Sequence, residues 1–227
     1  MISLVKNKII LTNVSDLDLS VRNVAVFNTE AAYFYYKSDY YDYLKLCDAI
    51  AIDGAFLKLA FLLRGFSVTR YHGPDLLDDA LRVSSAKKII VGGADSNVKL
   101  VNESIVDNYV PLPFSDDINL LVDHFIRNFD FLTDNRYFLF ISLGLPKQER
   151  FSFLLRHKLE TIYSDTSNIV LVPLGAAVDF QTGAKIRSGI FWQKLGLEWL
   201  PRLIREPRML VRNVRSLYAF LMVLIKG

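Results

Sequence analysis

The chain has 227 residues, of which 52% are hydrophobic, 13% aromatic and 22% charged. That mixture excludes a disordered or collagen-like chain, and the length fits one large α/β domain. A single cysteine, Cys47, and three histidines exclude an internal disulfide and a Cys/His zinc site, and fit a reducing compartment. The net charge of +3 is unevenly placed, because residues 200–227 carry five Arg and one Lys against one Glu. The remainder is slightly acidic, which argues against nucleic acid as a partner.

Residues 1–13 lack a small-residue cleavage site, so no secretory signal is expected. The pattern then alternates. Residues 24–27 read as a strand and 30–46 as a helix; 49–52 is a strand and 56–64 a short helix. Pro74 opens a helix over 74–84, and 88–91 is a strand followed by a helix over 97–108. Helix 117–129, strand 137–142, helix 146–159 and strand 169–172 follow. Continuous apolar strands alternating with helices predict an α/β, Rossmann-like, mainly parallel sheet with helices on both faces. The longest apolar run, 217–225, would span about 13 Å as a helix, well short of the ~30 Å hydrocarbon core.

In open parallel sheets, ligands bind beyond the carboxyl ends of the strands. The residues at those ends are Asn28-Thr29, Asp53-Gly54, Gly92-Gly93, Gly144 to Gln148 and Gly175-Ala176. Singly, each is ordinary turn chemistry. Together, on one rim, they predict a composite pocket.

Asp53 ends an apolar strand and has two readings of equal weight. It is a general base facing the crevice, or the N-cap of the helix that follows. Gly92-Gly93 fits a turn whose N–H groups approach an anion with the positive end of the following helix behind it, although on this feature alone a tight turn with no ligand is somewhat favoured. Neither G-x-G-x-x-G nor G-x-x-x-x-G-K-[ST] occurs, which disfavours a nicotinamide oxidoreductase or a P-loop enzyme. Lys147 offers charge for a diphosphate and Gln148 an amide for a sugar hydroxyl, although residues entering a helix are often only solvated. Asp16-Leu-Asp18 matches a D-x-D metal motif, but its polar, turn-like setting before the first strand favours a structural role, and no metal is expected. At the C-terminus, Arg202, Arg205, Arg208, Arg212 and Arg215 recur at three- and four-residue steps. As a helix they form one basic stripe beside apolar residues, suited to an anionic membrane surface or to core packing with a solvated Arg face. The division expected is 1–195 for the α/β domain and 196–227 for a basic amphipathic helical appendage, with Pro207 separating two helices within it.

These marks assemble into a pattern. Asp53-Gly54, Arg70-Tyr-His-Gly-Pro-Asp75, Val91-Gly-Gly93, Leu143-Gly-Leu-Pro-Lys-Gln-Glu149 and Gly175-Ala-Ala-Val-Asp-Phe180 occur in order. Gln193-Lys-Leu-Gly-Leu-Glu-Trp-Leu-Pro-Arg202 and Glu206-Pro-Arg208 complete it. The chain resembles the bacterial WecG/TagA/CpsF glycosyltransferases, glycosyltransferase family 26, from about residue 23 to 214. The resemblance implies a hexosyltransferase that moves a sugar from a UDP-sugar to an undecaprenyl-diphosphate-linked glycan for cell-surface polysaccharide. It implies inversion to a β-linkage, no cofactor and no required metal. Asp53 then becomes the favoured base. Asn28, Thr29, Arg70, Gly92, Gly93, Gly144, Lys147, Gln148 and Gly175 fall in the substrate pocket, and the five C-terminal arginines meet the membrane or the acceptor diphosphate. The protein is expected on the inner face of the cell membrane as a peripheral enzyme, with a homo-oligomer among its candidate assemblies. The chain departs from the family by carrying Val26 where a Thr is frequent, two residues before Asn28, and by a dissimilar segment at 1–22. A non-catalytic nucleotide-sugar-binding partner of a polysaccharide-assembly complex is the competing expectation.

Overall fold

In a computed structural model, the described residues are 1–17, 20–37, 40–132, 135–183, 189, 192 and 209–226. They build an α/β fold on two parallel sheets. The first orders β1 (Ile9–Ile10), β3 (Ala49–Ile52) and β2 (Val24–Phe27). The second orders β5 (Asn108–Val110), β4 (Ala86–Val91), β6 (Arg136–Ile141) and β7 (Ile169–Pro173). Every strand pairing is parallel. The sheets meet edge to edge, because Asn23 bridges Leu171 and the Leu171 N–H donates to the Arg22 carbonyl at 2.8 Å.

The apolar runs explain the layers. Every residue of β2, β3 and β7 is buried, and successive side chains point to opposite faces. Val24, Val26, Ala49 and Ala51 join Phe138, Phe140, Val170 and Val172 in a core shared by both sheets. It is covered by α5 (Gly73–Leu81), α6 (Val98–Asn102) and α9 (Ala177–Gln181), through residues such as Leu76, Leu100 and Val178. On the other face, Ala25, Phe27, Ile50 and Ile52 pack against α1 (Ile2–Lys6), α2 (Thr29–Lys37), α3 (Tyr40–Leu46) and α4 (Ala55–Leu63). The C-terminal helix α10 (Met209–Lys226) adds Ala219 and Val223 to that core. Ile89, Val91, Leu139 and Ile141 pack against α7 (Ile118–Asn128) and α8 (Lys147–Ile162).

Two expected elements differ. The single helix over 30–46 is two helices, α2 and α3, each presenting its own apolar side to the sheet. The helix over 97–108 shrinks to a 3-10 turn, Asp95–Asn97, followed by the five-residue α6. Its C-terminal end becomes β5 because Asn108–Val110 pairs with Ile89–Val91, where Val110 is buried. Tertiary pairing overrides the local helical pattern there.

The guanidinium of Arg156, on α8, is fully buried and pins the junction of the sheets. Its Nε donates to Asn23 Oδ1 at 3.0 Å, and its Nη atoms donate to the carbonyls of Arg22 (2.8 Å), Ile169 (2.6 Å) and Thr166 (3.3 Å). Burial lowers its pKa to about 10, which leaves it charged at neutral pH.

α4 and α10 lie side by side, with the Phe56 and Phe220 rings 6.2 Å apart and Arg64 Nη1 donating to the Leu224 carbonyl at 3.3 Å. Outward from this pair, Phe56, Leu59, Leu62 and Leu63 of α4 and Leu210, Val214, Leu217, Leu221 and Ile225 of α10 are exposed. Neither helix contains an acidic residue. No described helix is long and apolar enough to cross a membrane.

Candidate functional site

The strand ends bring the first group of candidates together. Asp53 follows β3, and its backbone N–H donates to the Phe27 carbonyl at 2.9 Å, which sets it beside Asn28 at the end of β2. The Tyr71 N–H donates to the Ile52 carbonyl at 2.9 Å, so residues 70–72 run alongside the same strand end. Asp53 Oδ1 lies 2.8 Å from His72 Nδ1, with the two side chains 26% and 18% exposed. Arg70 Nη2 lies 2.5 Å from His72 Nε2. A Cβ on Gly73 would lie 3.5 Å from Val26 and 3.9 Å from Leu174 and Ala177, so the start of α5 lies close to the ends of β2 and β7.

The helix-capping alternative for Asp53 is overturned. Gly54 holds the N-cap position of α4, with no side-chain cap bond, and the Asp53 carboxylate is turned to His72 instead. At the neighbouring strand end Asn28 does cap, its Oδ1 accepting from the Ala31 N–H at 2.9 Å in the first turn of α2. Thr29 is the first residue of that helix.

A second group lies on the ends of β4, β6 and β7. Gly93 has φ +87°, and a Cβ there would fall 2.6 Å from both Asn97 Nδ2 and Ser142 Oγ, so only glycine fits. Ser142 Oγ donates to the Gly175 carbonyl at 3.1 Å, and a Cβ on Gly175 would lie 3.2 Å from Gln148 Oε1. The Gly92 N–H donates to the Val110 carbonyl at 2.9 Å, so it serves the sheet. The short α6 is no substitute for the long helix whose positive end was expected behind this turn. Gly144 stands in open space on the loop into α8.

At the start of α8 the predicted neighbours diverge. Lys147 Nζ donates to the Ser115 carbonyl at 2.9 Å and pairs with Asp116 Oδ1 at 2.6 Å, clasping the loop before α7. Gln148 is buried, and its Nε2 donates to Glu149 Oε1 at 2.6 Å while its own Oε1 has no partner among the described residues. Glu149 is buried as well, and burial raises its pKa to about 8. A cavity of about 280 Å³ opens next to it between α3 and α8, walled by Tyr40, Tyr43, Pro146, Arg150 and Phe153.

Of the basic stripe, Arg202, Arg205 and Arg208, and with them Pro207, lie outside the described residues. Arg212 Nε pairs with Glu30 Oε2 at 2.8 Å, in the first turn of α2, two residues from Asn28. The Arg215 guanidinium lies 5.4 Å from the Tyr33 ring and 5.8 Å from the Phe34 ring. Both arginines fasten α10 to the helix that begins at the site. Asp16 is structural: its Oδ2 accepts from the Thr12 N–H (2.7 Å), Thr12 Oγ1 (3.0 Å) and the Asn13 N–H (3.1 Å), closing a capping box. The Thr12 N–H foremost holds its carboxyl below the usual range. Asp18 lies outside the described residues. Among the described residues no three His, Cys, Asp or Glu side chains group as metal ligands would.

Sequence reasoning missed His72, Glu30 and Glu149 as members of this neighbourhood. His72 stands inside a quoted motif, but only the fold shows that its ring meets Asp53. Taken together, the site offers a fixed carboxylate next to a guanidinium at the mouth of a parallel sheet, suited to taking a proton from a hydroxyl near an anionic group.

Two Staphylococcus aureus proteins, from strains MW2 and NCTC 8325 / PS 47, are each 21% identical to this chain over 218 residues, covering 92% of it and 82% of their own length. Both are named N-acetylglucosaminyldiphosphoundecaprenol N-acetyl-beta-D-mannosaminyltransferase. The model of the Glycosyl transferase WecG/TagA/CpsF family matches residues 10–227, and the chain belongs to that family.

Proposed function

We propose that the protein is an inverting glycosyltransferase that transfers a sugar from a UDP-sugar to a lipid-diphosphate-linked glycan at the cytoplasmic face of the membrane. The observation that carries the mechanism is the Asp53 carboxylate, held by His72 at the end of β3 with Arg70 one imidazole away. The acceptor hydroxyl oxygen attacks C1 of the donor sugar, and the C1–O bond to UDP breaks on the opposite face. Asp53 takes the hydroxyl proton, and UDP leaves with the bonding electron pair. Arg70, with donors beyond the one used on His72, supports the departing diphosphate, and the C-terminal arginines are further candidates. No metal is required in this scheme. Gln148 and the Gly175 turn form the wall toward the donor sugar.

The relatives' names make N-acetylmannosamine the first donor sugar to try and N-acetylglucosaminyldiphosphoundecaprenol the first acceptor. Peripheral membrane association is supported by the exposed apolar faces of α4 and α10, two helices that also expose Lys58 and Lys226 and hold no acidic residue, while Arg212 and Arg215 are engaged with α2. Such a face suits anionic lipid. Residues 196–227 would then act as the appendage that brings the α/β domain to its lipid-linked substrate.

The test is UDP release across a panel of UDP- and GDP-sugars with detergent-solubilised lipid-diphosphate glycans, with and without EDTA. Acceptor-dependent release from one UDP-sugar, unaffected by EDTA, is the expected result. EDTA-sensitive release would overturn the metal-independent scheme. UDP binding with silence across the panel would favour the non-catalytic partner subunit instead.

A further inference from the structure

His72 stands between two groups of opposite charge that have no ion pair with each other. Among the described residues Asp53 has no lysine or arginine partner, and its one side-chain hydrogen bond is to His72. Arg70 reaches the same ring from its other side. We propose that His72 is a positioning residue for the transfer reaction: its imidazole bridges Asp53 and Arg70, orients the carboxylate and keeps the two charges from pairing directly. The proposal rests on Asp53 being the base of the reaction proposed above.

The proton inventory fixes the ring. A guanidinium has donors only, so the nitrogen facing Arg70, Nε2, must present its lone pair. In the neutral ring the hydrogen is then on Nδ1, which donates to Asp53 Oδ1 at 2.8 Å. One carboxylate oxygen is thereby engaged, and Oδ2 is left to receive the acceptor's proton. A direct Asp53–Arg70 pair would stabilise the ionised carboxylate and make it a weaker base. The same pair would draw the guanidinium from the diphosphate it is to support. The imidazole, an acceptor toward one group and a donor toward the other, holds both without joining them.

The backbone prepares this placement. Tyr71, one residue earlier, is tied to the end of β3, and His72 occupies the N-cap position of α5 with extended dihedrals (φ −74°, ψ 147°). Its side chain makes no cap bond there, although capping is the usual employment of a polar side chain at that position. It is turned to the strand end instead.

Two measurements test the bridge. The first needs no substrate. In protein labelled with 15N-histidine, the His72 signals, assigned by their loss in His72→Asn, should show the Nδ1–H tautomer with a pyridine-type Nε2. Arg70→Ala should mix the tautomers. An Nε2–H tautomer in the wild type overturns the proposal.

The second compares His72→Ala, His72→Asn and His72→Gln in UDP release from UDP-N-acetylmannosamine with N-acetylglucosaminyldiphosphoundecaprenol, or from whichever pair the panel finds active. Asn places an N–H where Nδ1–H stood, whereas the longer Gln amide does not. Expected are a fall in kcat of about 10- to 100-fold for Ala with a nearly unchanged donor KM, recovery by Asn to within several-fold of the wild type, and no recovery by Gln. In an Asp53→Asn background, His72→Ala should cost nothing more. Wild-type turnover in the Ala variant overturns the bridge. So does equal impairment of Ala and Asn, which together with a lowered melting temperature would assign His72 to structure alone. Normal turnover by Asp53→Asn would instead remove the base assignment itself, and it is read separately from any His72 variant.

Discussion

Gln148 donates its side-chain N–H to the carboxyl group of the next residue, Glu149, across 2.6 Å, and both residues are buried at the start of α8. A carboxyl group placed there is easier to bury neutral than charged. Burial raises its pKa to about 8, against an ordinary 4.5. Between those values the folded chain holds a proton that the unfolded chain has released, so stability falls as pH rises from about 4.5 to about 8. The loss is on the order of a few kcal/mol at most. Glu149→Gln keeps the shape and the bond from Gln148 without the ionisation. Urea melts at several pH values should show a flatter profile for Glu149→Gln, with its advantage over the wild type largest above pH 8. Parallel profiles would count against a buried neutral carboxyl.

Asp53→Asn keeps the volume and removes the proton acceptor. Turnover should fall by about 10²- to 10⁴-fold, the range for loss of a positioned base, with UDP affinity close to that of the wild type. Calorimetric titration with UDP beside the release assay makes the comparison. Loss of both together would indicate a binding role instead.

Arg156 has a charge where the two sheets meet, and its donors serve four acceptors with no carboxylate among them. Arg156→Met should cost about 3–5 kcal/mol, because the Arg22, Thr166 and Ile169 carbonyls and Asn23 Oδ1 lose their donor together. Arg156→Lys should recover only part, since an ammonium cannot span the same fork. Chemical denaturation with a common m-value reads both.

On the outer face of α4 and α10, replacing Leu59 and Leu217 with Glu should weaken co-sedimentation with anionic phospholipid vesicles by tenfold or more. Each apolar side chain contributes about 1.5–3 kcal/mol on leaving water, and each new charge is repelled by the lipid. Both positions are exposed, so UDP binding and melting temperature should hardly move. Unchanged vesicle binding would remove this face from the membrane reading.

Much of the architecture was legible because buried parallel strands leave a local trace. The runs at 24–27 and 49–52 coincide with β2 and β3, and their wholly apolar composition follows from burial on both faces. The glycine-marked rim was legible too. Gly93 has no room for a side chain, and Gly175 has φ +54° against Gln148. The end of the helix over 97–108 was not legible, since Asn108–Val110 becomes a strand only where β4 offers it an edge.

The glycosyltransferase family could be read from the ordered motifs alone, because they lie in short local runs. The partner of each polar side chain could not, because it depends on which chain segments the fold brings together. Asn28 caps α2, Asp53 is turned away from α4 to His72, Lys147 is fastened to the loop before α7, and Arg212 is joined to Glu30. Those partners lie far apart in the chain or compete with local alternatives of similar strength. A capping bond and an imidazole bond to a carboxylate differ by little in free energy, and the register that carries Tyr71 to the end of β3 settles which one forms.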